Sequence, residues 1–331
     1  MGESVRIGVI GAGKIGLQHC RTLAQHPGVE LVAVADLSQE HAERAAALAR
    51  GATSTTDHAS LLADPSIRAV VIAATSDVHV TLISEAARAG KDVFCEKPLA
   101  LTLEDADAVL RVVDECGVKL QVGFQRRFDP AYCEAQRAIA AGELGEVELI
   151  VGTTRDPKPA SVEYLRGSGS LFVDMSIHDY DSVRFLTGLE VEEVFTWGEV
   201  LYQDGEGEAF VDTAVTTLKL ASGALATITN SRRAVYGYEV GIEVMGSKGK
   251  VAVGQEQETL VRHYGEQGVS HDYVAWYWDR FRDAYAQELA HFVRCAAAGR
   301  APDSSGADAR AALAIALAAG RSWREGRPVR V

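Results

Sequence analysis

Cysteine is scarce in this 331-residue sequence, and the five present, Cys20, Cys95, Cys116, Cys133 and Cys295, are odd in number and widely spaced. No CxxC pair suggests a redox or zinc centre, and reduced thiols in a cytoplasm fit best. Positive charge is also in short supply. Lys and Arg total 33 against 46 Asp and Glu, a formal net charge of -13. There is therefore no general attraction to phosphate backbones or anionic membranes, and nucleic acid is not an expected partner. No apolar run is long enough to span a bilayer, and Met1 leads almost directly into the apolar segment Val5–Ile10, leaving no room for a signal sequence. There is no internal repeat or low-complexity tract. No G-x-S-x-G element supports a serine hydrolase and no Walker loop supports phosphoryl transfer.

What is present is apolar residue, 47% of the chain, enough for a substantial core and more comfortable as two domains than one. From Val5 to about Phe124 short β-branched runs alternate with helical patterns, the signature of βαβ units and a doubly wound parallel sheet. Strands are predicted at Val5–Ile10, Leu31–Ala35, Ala69–Ala74, Asp92–Cys95 and Lys119–Val122, with crossover helices such as Leu103–Cys116 between them. After Phe128-Asp129-Pro130 the character changes. One more helix leads to Gly142 and Gly145, and strand-like runs follow at Val147–Thr154, Val194–Leu201, Val211–Leu220, Ala224–Ser231 and Glu239–Met245. Turn signals at Ala221-Ser222-Gly223 and Gly246-Ser247-Lys248-Gly249 make this a mostly antiparallel second sheet. The expected organisation is a doubly wound nucleotide-binding domain over 1–124 and a second α/β domain with a mostly antiparallel sheet over 125–331, ending in a helix around Ala311–Ala319 that can pack back on the first domain.

Gly11-Ala12-Gly13-Lys14-Ile15-Gly16 follows the first strand directly and opens a helix. Glycines in that context let the backbone reach a pyrophosphate at the helix N-terminus, where unpaired N–H groups and the dipole favour negative charge. The second strand ends in Asp36, placed to accept hydrogen bonds from adenosine ribose hydroxyls and to repel a 2′-phosphate. Neighbouring Leu37 and Ser38 supply no compensating cation, although Arg44 lies further along the next helix. NAD is the expected cofactor.

Two segments offer chemistry. Cys95-Glu96-Lys97-Pro98 follows a strand, so Lys97 lies near the carboxyl end of the sheet, where open α/β folds place ligands. Its ammonium would stabilise a developing alkoxide, with Pro98 stiffening the turn through a cis bond or otherwise. The bland alternative is a surface lysine. In Asp174-Met175-Ser176-Ile177-His178-Asp179-Tyr180-Asp181, helical spacing puts Asp174, His178 and Asp181 on one stripe, opposite Phe172, Val183 and Leu186. Histidine accepts a hydroxyl proton as hydride leaves, and an adjacent Asp orients the ring. The alternative is a solvated acidic face with an incidental histidine. No further His or Cys cluster accompanies Asp174 and His178, so no metal is expected.

Together these residues resemble the glucose-fructose oxidoreductase and inositol dehydrogenase (Gfo/Idh/MocA) family along essentially the whole chain. The marks are Gly-Val-Ile-Gly-Ala-Gly-Lys-Ile-Gly at 8–16, Cys-Glu-Lys-Pro-Leu at 95–99 and Gly-Phe-Gln-Arg-Arg-Phe-Asp-Pro at 123–130. Thr-Arg-Asp-Pro at 154–157, the 174–181 segment and Asn-Ser-Arg-Arg-Ala-Val-Tyr-Gly-Tyr at 230–238 look like the inositol 2-dehydrogenase branch. The resemblance implies NAD-dependent oxidation of a secondary hydroxyl of a cyclic polyol or sugar, myo-inositol first. It implies a catalytic trio of Lys97, Asp174 and His178, with His178 the general base. Thr75, Ser76, His79 and Glu96 fall at positions bordering the nicotinamide half of the cofactor. Arg127, Asp156 and Tyr236 or Tyr238 fall at positions reaching the substrate, although Arg127 beside Arg126 is also a surface charge pair and the tyrosines are also sheet packing residues. The resemblance also implies a Rossmann domain followed by an α/β domain with an open-faced sheet, often buried against another subunit in dimers or tetramers. Ser176 and Ser170 depart from the threonine and glycine of close relatives and border the expected pocket. Glucose or levoglucosan as substrate, an NAD-dependent glycoside hydrolase and a non-catalytic binder stay open as alternatives.

Overall fold

Five of the six short strands of the N-terminal part are mostly apolar, buried runs that belong between layers of helix, and the sixth, Thr53–Thr55, is polar and lies at the sheet edge. The computed structural model describes residues 4–202, 205–254 and 257–331. In chain order the first elements are β1 (Val5–Ile10), α1 (Lys14–Gln25), β2 (Val29–Ala35), α2 (Gln39–Ala46), β3 (Thr53–Thr55), α3 (His58–Ala63) and β4 (Ala69–Ile72). They are followed by α4 (His79–Arg88), β5 (Asp92–Glu96), α5 (Leu103–Cys116) and β6 (Leu120–Gly123). The strands stand in the order β3-β2-β1-β4-β5-β6, all parallel, so the order in which strands are added reverses between β1 and β4. Ligands in such sheets bind outside the carboxyl ends of the strands at that point. Local chemistry fixes the helix ends: Thr102 accepts a hydrogen bond from the Asp105 N–H at the start of α5, and Gly117, at φ 67°, closes it.

The second set of elements comprises α6 (Pro130–Ala140), β7 (Val147–Arg155), α7 (Val162–Ser168), a π turn at Phe172–Ser176, α8 (Ile177–Thr187), β8 (Val191–Glu199), β9 (Thr213–Leu220), β10 (Leu225–Ser231), β11 (Glu239–Gly246) and β12 (Gly249–Gly254). The hairpin β13 (Arg262–Gly265) and β14 (Gly268–His271), α9 (Tyr277–Ala298), α10 (Gly306–Glu325) and β15 (Val329–Arg330) complete the chain. The large sheet runs β12-β11-β7-β10-β9-β8-β15, with β7 and β10 parallel and the other pairs antiparallel. Both expected hairpin turns are in place, joining β9 to β10 and β11 to β12. Burial alternates along β9 and β10, so one face is covered while the other leaves Trp197, Leu225, Val215 and Met245 exposed.

The chain divides into two compact units, residues 1–125 with 285–313, and residues 126–284 with 314–331. A single second domain running unbroken over 125–331 is therefore not what forms. The reason is hydrophobic: Leu289, Phe292, Val293 and Ala296 of α9 lie in the same buried cluster as Val5, Ile7, Val9, Leu31 and Phe94 of the parallel sheet. Among the described residues no helix is long and apolar enough to cross a membrane.

Candidate active site

In the first unit the glycine loop is built by exclusion. Gly11 has φ 96°, and a Cβ there would lie 2.5 Å from the Ala73 carbonyl oxygen. A Cβ at Gly16 would lie 2.0 Å from the Gly11 carbonyl oxygen. These two glycines let the turn close on itself. Gly13 differs: a Cβ there would meet nothing within 4 Å. It caps α1 with no side-chain hydrogen bond, so the helix opens with its backbone donors presented, as anion binding requires. Lys14 and Ile15 form the first turn of α1, with Lys14 exposed.

Asp36, just past β2, is fixed on both oxygens. The Ala12 N–H donates to Oδ2 at 2.6 Å and the Ser38 N–H to Oδ1 at 2.8 Å. The carboxylate is thereby tied to the glycine loop, with lone pairs left for ribose hydroxyls. His41 Nδ1 stands 3.6 Å from Oδ1, a neighbour the sequence reading passed over in favour of Arg44. The loop, the helix terminus and the acid fit an adenine dinucleotide with a free 2′-hydroxyl.

Lys97 follows the last residue of β5, and the Lys97–Pro98 peptide is cis. The residues around it are held in place. Glu96 Oε1 accepts from His19 Nε2 on α1 at 2.7 Å, and both side chains are deep in the unit. His79, 1% exposed, has Nδ1 at 2.7 Å from the Pro98 carbonyl oxygen and Nε2 at 3.2 Å from that of Ala74. Burial lowers the His79 pKa, which favours the neutral ring, donating from Nδ1 to Pro98. The polar atoms of Glu96 and His79 thus serve the loop that carries Lys97. Thr75 and Ser76 lie beyond the carboxyl end of β4, exposed and half-buried respectively.

In the second unit the Asp/His segment is not the single helical stripe that spacing predicts. Phe172–Ser176 form a π turn before α8 begins at Ile177, so the 3.6-residue period is interrupted between Asp174 and Asp181. Nor is it a solvated acidic face: Asp174, Asp179 and Asp181 are 7%, 1% and 1% exposed. The Tyr164 hydroxyl donates to Asp174 Oδ1 at 2.9 Å and Arg232 Nη1 donates to Oδ2 at 3.1 Å. His178 follows at i+4 and is half-buried. Asp181 takes both oxygens to Arg127, with Nη2 to Oδ1 at 2.7 Å. Asp179 anchors a buried network, accepting from Arg126 Nη1 at 2.6 Å, Thr154 Oγ1 at 2.7 Å and Asn230 Nδ2 at 2.7 Å. Ser176 Oγ donates to Asn230 Oδ1 at 2.7 Å.

Arg126 and Arg127 are therefore scaffold cations, not a surface charge pair, and Arg127 spends its guanidinium on Asp181. Tyr238 is 5% exposed, with its ring packed edge-on against Tyr277 and Phe281 and tilted on Trp276. Tyr236 is half exposed, and its hydroxyl contacts Glu239 and Arg155. Asp156 lies just past β7, its backbone held to Ser231 and Ala234. Tyr164 and Arg232 were not singled out from sequence. Arg232 lies inside the quoted 230–238 segment, but nothing local to that segment signals a buried guanidinium.

Comparison with known proteins agrees with this geometry. Residues 5–124 match the oxidoreductase family with an NAD-binding Rossmann fold, GFO/IDH/MocA, and residues 132–252 match the GFO/IDH/MocA C-terminal domain. The chain is 40% identical over 329 residues to a myo-inositol 2-dehydrogenase of Thermotoga maritima, covering 99% of this chain and 98% of that protein. It is 41% identical to an inositol 2-dehydrogenase of Rhizobium meliloti, covering 99% of each. The crystal structure of a scyllo-inositol dehydrogenase from Lactobacillus casei with NAD(H) and scyllo-inositol superposes with a TM-score of 0.91 at 27% identity over 99% of each chain. With a parallel sheet in the 3-2-1-4-5-6 order, a glycine loop shaped for a dinucleotide and matches along nearly its whole length, the chain belongs to the GFO/IDH/MocA family of NAD-dependent oxidoreductases.

Proposed function

We propose that this oxidoreductase is an inositol 2-dehydrogenase that oxidises a secondary hydroxyl of myo-inositol to the ketone. The observation that carries the reading is the carboxylate of Asp174, buried and held from two sides, one helical turn before the half-buried imidazole of His178. That pair is what a general base needs: a ring that titrates near neutrality and a fixed anion to support its charged form. The names of the full-length relatives supply the substrate.

In the proposed reaction Lys97 holds the reacting oxygen and stabilises the alkoxide as it develops. His178 accepts the hydroxyl proton and passes it to solvent, with Asp174 keeping the ring oriented. NAD, when bound, supplies the acceptor for the hydride that leaves the same carbon. Asp156 and Tyr236 present polar groups to the remaining hydroxyls, while Thr75 and Ser76 border the nicotinamide. Glu96 and His79 act through the Lys97 loop, and Arg127 and Tyr238 through the scaffold. The exposed apolar sheet face around Trp197, Val215, Leu225 and Met245 supports association with a second copy as a dimer or tetramer. Five free cysteines, three of them buried, fit a reducing cytoplasm.

The test is NADH absorbance with purified protein, NAD or NADP, and a panel of inositol isomers, glucose and levoglucosan at alkaline pH. Rapid NAD-specific reduction with myo-inositol is expected, and silence with every inositol contradicts the substrate. Cofactor choice is tested separately by Asp36→Ala, which should weaken NAD binding about tenfold, the loss of one or two hydrogen bonds to a charged acceptor, and NADP binding far less. Equal losses in titrations of both would remove Asp36 from the discrimination.

A further inference from the structure

We propose that Arg232 and Tyr164 are positioning residues for dehydrogenation: together they lock the Asp174 carboxylate in one orientation and keep a buried cation against it. The inference rests on the catalytic role given to Asp174 above.

The two holds come from distant parts of the chain. Tyr164 lies on α7, ten residues before Asp174, and Arg232 lies just past β10, 58 residues after it. They take one carboxylate oxygen each, so neither is redundant. Burial, and next the Asp174 charge, push the Tyr164 phenol well above its ordinary range, which leaves it a proton donor throughout the working pH range.

Arg232 makes poor sense as a structural residue. It heads the largest fully buried side chains by volume, at 1% exposure, and its Nε and Nη2 are buried without a hydrogen-bond partner among the described residues. A buried cation with donors unmet costs folding free energy, and an apolar side chain of similar size commonly serves a fold as well or better. What such a side chain cannot supply is the Nη1 contact to Asp174. The carboxylate it meets sits in the π turn at Phe172–Ser176, and single π turns gather at functional sites. The charged and titratable groups that face Asp174 include Tyr164 on α7 and Arg232 past β10, with Asp156 past β7 close enough to act on Tyr164 and His178 following at i+4 on α8. Arg232 is a cation in direct contact with the carboxylate.

The experiment compares full-length Arg232→Gln, Arg232→Lys, Tyr164→Phe and Asp174→Asn with the unaltered enzyme, using NAD and myo-inositol, for kcat, KM, Tm and the pH profile of kcat/KM. Arg232→Gln should lower kcat about ten- to a hundredfold, part of what a general base contributes. KM for NAD and Tm should stay close to wild type. The acid limb should move to higher pH, because a neutral glutamine no longer opposes protonation of the Asp174–His178 pair. Arg232→Lys should restore the limb and part of the rate. Tyr164→Phe removes one hydroxyl from a half-exposed residue and should cost about three- to tenfold in kcat, part of the worth of one hydrogen bond to a charged group. It remains a test if Arg232→Gln does not fold. A fall in Tm and activity together with no movement of the limb in Arg232→Gln, or unchanged kcat in both Arg232→Gln and Tyr164→Phe, overturns the proposal and leaves the catalytic reading standing. Normal turnover by Asp174→Asn overturns that reading, and the proposal with it.

Discussion

Replacing His178 with alanine is expected to lower kcat by about a hundred- to ten-thousandfold, the usual contribution of a positioned general base, and to leave NADH binding within about twofold. The expectation follows from where the residue stands. His178 opens α8 after the π turn, and its carbonyl accepts from Ser182 Oγ at 2.7 Å, so the helix around it is stitched locally. Removing the ring leaves the ion pairs of Asp179 with Arg126 and of Asp181 with Arg127 in place. A fall in kcat without a fall in Tm therefore reports lost proton transfer. Because the glycine loop and Asp36 keep their own contacts, cofactor titration should not register the change. Turnover within a few fold of wild type would remove His178 from the mechanism.

The second large effect concerns two glycines three residues apart. Gly16→Ala should lower Tm and weaken NAD binding together, because its Cβ would lie 2.0 Å from the Gly11 carbonyl oxygen and 2.8 Å from the carbon behind it. Both are backbone atoms, so the turn itself has to open, at a cost of order 1–3 kcal/mol or more. Shared about equally between folding and binding, that corresponds to about two- to tenfold in NAD affinity. Gly13→Ala is the control. Its Cβ enters open space and its φ of -64° suits any residue, so Tm should hold. Only a ligand approaching the helix terminus would meet the added methyl group. Thermal unfolding with and without NAD separates the two: loss of NAD stabilisation at both positions, with loss of intrinsic stability at Gly16 alone. Normal NAD binding by Gly13→Ala would place the pyrophosphate elsewhere.

Much of this was legible in the sequence, for identifiable reasons. β1 and α5 have the bounds that their patterns predict, since a run of buried β-branched residues and an amphipathic helix between Thr102 and Gly117 encode structure locally. β3 and β15, three and two residues long, carry too few side chains to form a pattern and are held by their neighbours in the sheets. The assignment of 285–313 to the first unit was hidden as well, because a helix's apolar face does not say which sheet it will cover.

The site divides along the same line. The glycine loop, Asp36 and Lys97 declare themselves by position after strands. Asp174 and His178 are four apart and readable, but Asp174 lies in a π turn, which has no sequence signature, so its phase differs from that of His178 and Asp181, which stand three apart on α8. The residues that make Asp174 what it is, Tyr164 and Arg232, come together only through folding. In sequence Arg232 is one of two adjacent arginines after a strand, where solvent exposure is the ordinary outcome. The pairing of Arg127 with Asp181, across 54 residues of chain, has no local signal in the sequence.

The central claim is that this chain takes hydride from the carbon bearing a secondary hydroxyl of a cyclic polyol and delivers it to NAD. The most direct test supplies the full-length enzyme with NAD and myo-inositol deuterated at ring carbons, then weighs the reduced cofactor and the organic product. One deuterium in NADH for each inosose formed is the predicted result. Cofactor that gains no deuterium while substrate is consumed, or no consumption at all, would contradict it.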